Sequence, residues 1–203
     1  METSKTFRVC YLALIFLTIW ATSQSKHCVF RDPLTKKLCI MVDVNFTAEI
    51  QAAKEGTVVA TKNVTSEDES VDCVGYCGTR DRTLLVRFTE KTFWSVSFTR
   101  PGEGIYTVQQ SRSFVFEPKD LFGESMSGIS RQVFYDPRPV YQKNIQGSYL
   151  CTVPDQVNYY DLNITMPSDK VDFQVNVNVL SIQSQGYNLD GEKYGPAEKC
   201  SSA

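Results

Sequence analysis

Cys73 and Cys77 stand four residues apart in Asp72-Cys73-Val74-Gly75-Tyr76-Cys77-Gly78, and Cys28 follows the single histidine, His27. Residues of these types at such spacings can do three kinds of chemistry. A reactive dithiol usually separates its sulfurs by two residues at the start of a helix, where the dipole lowers one thiol pKa. Here three residues intervene, one of them Gly75, and no helical pattern follows. A zinc site could recruit His27 and Cys28, but two neighbours in the chain would have to converge on one ion. The third possibility is structural: each sulfur closes a separate cross-link to a distant part of the chain. The compartment decides among them, because oxidising surroundings compete for thiols.

The chain opens METSKTFRVCYLALIFLTIWATSQS. Lys5 and Arg8 form a basic leader, Val9 to Ala21 is apolar, and Ala21-Thr22-Ser23 supplies small residues for cleavage. Residues 1–23 therefore have the layout of a secretory signal peptide, and the apolar run falls short of the ~20 residues of a membrane span. Cleavage would carry away Cys10 and start the mature chain near Gln24. That leaves Cys28, Cys39, Cys73, Cys77, Cys151 and Cys200, an even set that in an exported protein reads as a disulfide framework. Counting alone leaves the connectivity open. With Glu2, Lys5 and Arg8 removed, 19 basic residues face 22 acidic ones, a net charge of −3. Such a chain has no basic face for phosphates, which argues against nucleic acid as a partner.

Catalysis finds little support. His27 would need a nucleophile and an orienting acid, and no motif supplies either, so it reads as a surface histidine. Paired carboxylates for glycoside hydrolysis are set by space rather than sequence, and Asp161, Asp169 and Asp172 sit at strand ends where loop acids are common. There is no phosphate loop, zinc helix or calcium loop. The expectation is a protein that is not an enzyme and holds neither cofactor nor metal.

The elements that must position the cysteines are strands. Ile40, Val42, Val44, Phe46, Ala48 and Ile50 alternate with Met41, Asp43, Asn45, Thr47 and Glu49, the period of a strand with one buried face. Val171, Phe173, Val175, Val177 and Val179 alternate as clearly. Leu84-Val86-Phe88 and Trp94-Val96-Phe98 read as a hairpin turning at Thr89-Glu90-Lys91, although that turn lacks glycine. Glu49 to Glu55 could make a turn or two of helix, and 117–131 and 136–147 carry Pro, Gly and Ser and read as loops. The expectation is a single all-β domain of antiparallel sheets. Three Asn-X-Ser/Thr triplets start at Asn45, Asn63 and Asn163. Asn45 and Asn163 fall on the wet side of their alternating runs, the geometry a glycan needs. Phe93 and Trp94 fall on opposite faces of one strand, so Phe93 could head an outward apolar row that packs a second copy or grips a hydrophobic ligand.

Four features in order resemble the lumenal domain of the lysosome-associated membrane glycoproteins, the family that includes macrosialin. A cysteine opens the apolar strand Cys39-Ile40-Met41-Val42, and a second, Cys77, opens the segment before the long hairpin. A third follows an aromatic in Ser148-Tyr149-Leu150-Cys151, and a fourth closes Tyr194-Gly195-Pro196-Ala197-Glu198-Lys199-Cys200. The resemblance runs from Leu38 to Cys200, so 38–200 is the domain, 24–37 an N-terminal extension and 201–203 the C-terminal end. It implies a disulfide-braced, β-prism-like fold with the bonds Cys39–Cys77 and Cys151–Cys200, which leaves Cys28 and Cys73 for each other, beyond the family's usual four. It also implies a non-catalytic, glycosylated protein on the lumenal side of lysosomes and late endosomes, where it acts as protease-resistant lining or scaffold. Its partners there would be other membrane proteins or further copies of itself. Members usually continue past the last cysteine into a membrane helix and a Gly-Tyr-X-X-apolar sorting tail. This sequence stops at Ser201-Ser202-Ala203 with no anchor in it, the pattern of a truncated product or of a secreted recognition module. Gly186-Tyr187-Asn188-Leu189-Asp190 ends in an acid before Cys200 and reads as a turn, not an address.

Overall fold

The computed structural model describes residues 25–102, 107–129, 131–144, 146–158, 160–161 and 171–200. Its backbone is β2, Leu38–Lys54, and β12, Val171–Gln185, which pair antiparallel from Lys54↔Val171 to Met41↔Gln185 with one irregularity between Val179 and Ser181. The alternation drives this: Ile40, Val42, Val44, Phe46, Ala48, Ile50 and Ala52 are all buried on one face, as are Val175, Val177 and Val179 opposite. Glu49 to Lys54, within the candidate for helix, instead continues the strand, since ladders on both sides, to β12 and to the strand that returns after the next turn, offer its backbone groups partners. Glu55 and Gly56 both take positive φ, 51° and 78°, and return the chain as β3, Thr57–Thr65. That is the two-residue hairpin turn whose twist matches its strands.

The stretch before Leu38 is a second correction. Lys26–Arg31 is not an extension outside the domain but a strand, β1, that pairs with the first half of β2 and buries Cys28. On the far side of β12 lie β9, Ser148–Cys151, and β10, Asp155–Asn158, and beyond β9 runs β13, Ala197–Lys199, in parallel.

The second sheet is a meander. It contains β4, Asp72–Cys77, β5, Asp81–Arg87, β6, Phe93–Thr99, β7, Thr107–Phe116, and β8, Gln132–Asn144, with β11, Tyr160–Asp161, at the far edge. The glycine-free hairpin between β5 and β6 closes through a side chain. Thr89 Oγ1 accepts from the backbone N–H of Lys91 at 3.3 Å and of Thr92 at 3.0 Å. Residues 136–144 are strand rather than loop. Their prolines, Pro137 and Pro139, fall between Asp136 and Tyr141, where the ladder to β7 is interrupted and no amide is required. The connection before β8 carries a five-residue helix, α1, Pro118–Phe122, and a short 3-10 turn, Glu124–Met126.

The two sheets enclose an aromatic core at one end. Phe46 lies 5.0 Å from Trp94, and Phe116 lies 5.8 Å from Phe134 and 5.4 Å from Phe173 between ring centroids. The other end of the interior is polar, with Ser184 Oγ donating to Gln110 Oε1 and buried Arg112 lying 3.7 Å from Asp155 across the sheets. The architecture is therefore the expected all-β domain of antiparallel sheets, braced by sulfur.

Candidate functional site

Side chains along a strand alternate, so Cys73 and Cys77 point to the same side of β4, about 13 Å apart by strand rise. A disulfide needs α-carbons closer than about 7 Å, so these two cannot bond each other while β4 exists. Both face the first sheet. Cys73 joins Cys28 on β1 with α-carbons 5.7 Å apart, and Cys77 joins Cys39 on β2 at 6.2 Å. Cys151 joins Cys200 at 5.1 Å, fastening the end of β13 to β9. These are the pairs that the resemblance implies. The first two make a double seam along the edge where β1 and β4 meet.

Packing around the seam leaves no slack. A Cβ on Gly75 would sit 2.8 Å from the Phe30 ring, and one on Gly186 would sit 2.5 Å from the Phe98 ring, so only glycine fits either place. Arg82 ties three segments together: Nη1 donates to the carbonyls of Cys39 at 3.1 Å and Gly186 at 2.7 Å, and Nε to that of Gly78 at 3.1 Å. Its guanidinium lies 4.2 Å over the Tyr187 ring. Burial lowers the Arg82 pKa and raises that of Tyr187, whose hydroxyl donates to the carbonyl of Arg80. Tyr187 is 3% exposed, so Gly186-Tyr187-Asn188-Leu189 is a packed turn that no sorting receptor could read in the folded state.

The three sequons fare differently. Asn63 is exposed on the free side of the first sheet. Asn45, expected on a wet face, is 3% exposed and its Nδ2 donates to Glu67 Oε1 at 3.1 Å. The reason is tertiary: the 66–70 segment after β3 folds over that part of β2, with Ser66 Oγ accepting from the Phe46 amide at 2.9 Å. Asn163 lies outside the described residues. Phe93 does point outward, but it is half-buried, with the Arg131 guanidinium 5.2 Å over its ring.

One contact was not foreseen. His27 Nδ1 meets Asp43 Oδ1 at 2.5 Å, an orienting acid for the lone histidine, because the two residues are cross-strand partners in β1 and β2. No described serine, threonine or thiol bonds to His27. The nearby Tyr194 hydroxyl donates to the Gln183 carbonyl at 3.2 Å, and burial, followed by Asp43, drives its pKa far above the ordinary value. Among the described residues the pair therefore has no nucleophile. Cys28 is spent in a disulfide, and no group of three or more metal-ligating side chains gathers among the described residues. Of the three acids weighed for glycoside hydrolysis, Asp172 is exposed on β12, Asp169 lies outside the described residues and the Asp161 side chain is likewise not described. No described helix is long and apolar enough to cross a membrane.

No family model matches the sequence, and no curated protein matches it. Solved structures do. The membrane-proximal domain of mouse lysosome-associated membrane protein 1 aligns over 88% of this chain and 97% of its own, with a TM-score of 0.63 and 14% identity. This is the fold of the lysosome-associated membrane protein lumenal domains. Human LAMP-3 aligns over 87% of this chain and 99% of its own, at a TM-score of 0.57 and 16% identity. The membrane-distal domain of mouse LAMP-2 does so over 87% and 99%, at 0.59 and 11%. Identities this low carry the architecture and not the surface, so in this lumenal fold the sites must be argued from the side chains themselves.

Proposed function

We propose that this chain is a glycosylated, non-catalytic lumenal domain of a lysosomal or late-endosomal membrane glycoprotein, serving as protease-resistant lining and scaffold. The observation that carries the reading is the double seam on β4 within the lumenal-domain fold. Proteases cut chains that open locally, and a strand fixed at two points to another sheet opens only together with the sheet. Asn63, exposed on its strand, and Asn163 are the sugar-bearing asparagines; Asn45, closed under Glu67, is not. The partners are other membrane proteins of the same compartment or a second copy, for which the outward row around Phe93 is the contact. Replacing Phe93 with Ser then raises the dissociation constant for self-association, measured by sedimentation, at least tenfold, and an unchanged constant removes that face from the proposal. The function itself is tested by half-life. Reduction and deglycosylation should each sharply speed digestion by lysosomal proteases, and the untagged protein should fractionate with late endosomes. Unchanged half-lives would overturn the lining role, and recovery from the medium alone would make it a secreted recognition module.

A further inference from the structure

The outer face of the first sheet carries a groove of about 510 Å³ spanning β3, β2 and β12. Its lining follows from strand register. Asn63 pairs with Glu49 and Glu49 with Asn176; one step along the same face, Thr65 pairs with Thr47 and Thr47 with Asn178. Two parallel rungs of three side chains thus project to solvent, and none of the six is apolar or cationic; Ala48, Val64 and Val177 also line the floor between the rungs, but their side chains turn inward to the core. Amides, hydroxyls and one carboxylate offer both donors and acceptors. That set gives a lipid no apolar anchor and a phosphate no countercharge, but it matches a ligand covered in hydroxyl and acetamide groups. It also lacks an aromatic platform on which a free saccharide could stack. The volume is on the scale of small-ligand sites.

Asn63 and Thr65 are themselves the first and third residues of a glycosylation triplet. A sugar joined to Asn63 Nδ2 starts at the wall of the groove. We propose that the groove seats the innermost N-acetylglucosamine units of a glycan carried by Asn63, fixing the glycan along the sheet. The tether makes weak contacts sufficient, because a linked group faces its site at millimolar effective concentration. This inference rests on the glycoprotein reading above.

The test uses the full chain secreted by a eukaryotic host, with Asn63 occupancy read by mass spectrometry of its peptide. Release of that glycan by a peptide N-glycosidase is then timed under native and denaturing conditions, for the wild type and for N176A/N178A. Seating predicts that native release is about fivefold faster from the double variant, the shift expected from losing the weak contacts of both amides together, with equal rates after denaturation. Should the double variant not be secreted, Asn178→Ala alone gives a smaller shift in the same direction. An unoccupied Asn63 overturns both the seating and the glycoprotein reading at this residue. Occupancy with equal native rates overturns the seating alone.

Discussion

Removing the Cys28–Cys73 bridge by a double change to alanine should cost less than its span in the sequence implies. The bond closes a separation of 45 residues, for which the chain-entropy estimate is about 4 kcal/mol. The Cys39–Cys77 bond, however, already shortens the path. From Cys28 the chain runs eleven residues to Cys39, crosses the sulfur bridge to Cys77 and returns four to Cys73, a loop of about fifteen. A loop of that length is worth about 3 kcal/mol. The same detour applies in reverse, so losing Cys39–Cys77 alone also costs about 3 kcal/mol. Losing both removes the shortcut and costs about 7 kcal/mol, roughly 1 kcal/mol more than the two single losses together. Cys151–Cys200, separated by 49 residues and sharing no loop with the others, should cost about 4 kcal/mol alone. Urea unfolding followed by fluorescence of the fully buried Trp94 gives each value. A loss of both seam bonds that equals or undercuts the sum of the single losses would refute the shared-loop reasoning. So would a Cys151–Cys200 loss cheaper than either seam bond.

Three further outcomes follow from the same structure. Arg82→Met deletes three hydrogen bonds from one guanidinium and leaves carbonyls of Cys39 and Gly186 without it; thermal unfolding should show a loss of about 3 kcal/mol. Asn45→Ala should lower stability by about 1–2 kcal/mol through the lost bond to Glu67, yet leave the mass released by glycosidase unchanged. Hydrogen bonds from Arg87, its cross-strand partner, hold the Asp72 carboxyl below 3.8, so its contribution is present above the ordinary carboxylate range and vanishes only as pH falls through the lowered folded value. Both side chains are more than a third exposed, which limits the effect to a few tenths of a kcal/mol. The melting-temperature gap between wild type and Asp72→Asn should therefore stay constant from pH 7 to 4.5 and close only below about pH 3.8; a gap that closes between pH 6 and 5 would contradict this sign.

Period-two alternation made β2 and β12 legible because each presents one face to a core that tolerates only apolar groups. It misled at Asn45 for a related reason. Alternation reports which face is inward, and it is blind to a later segment that covers the outward one, as 66–70 does here. Composition misled in 136–144, where two prolines read as loop but occupy the few positions of β8 that owe no hydrogen bond. β1 was hidden for want of length: Lys26–Arg31 has too few residues for a pattern, and its identity as a strand comes from pairing with β2. The His27–Asp43 contact was out of reach on the same account, since it exists only once that register is set.

The cysteines show where sequence and geometry constrain each other. Four-residue spacing is compatible with a helix, where it brings two sulfurs to one face a single turn apart, about 6 Å. In a strand the same spacing keeps them on one face but about 13 Å apart. The local structure of 72–77 thus determines whether the pair bonds internally or reaches outward, and the alternation of β5 and β6 determines that structure by offering an edge to pair with. Gly75 completes the choice. Between the two sulfurs it faces the Phe30 ring at a distance no Cβ tolerates, so β1 can lie against β4 closely enough for both bridges to form. A larger residue at 75 should therefore weaken the Cys28–Cys73 bond before the Cys39–Cys77 bond, because Phe30 belongs to the strand that carries Cys28. Gly75→Ala followed by graded reduction and mass mapping reads this order directly, and simultaneous opening of both bonds would show that the seam acts as one unit.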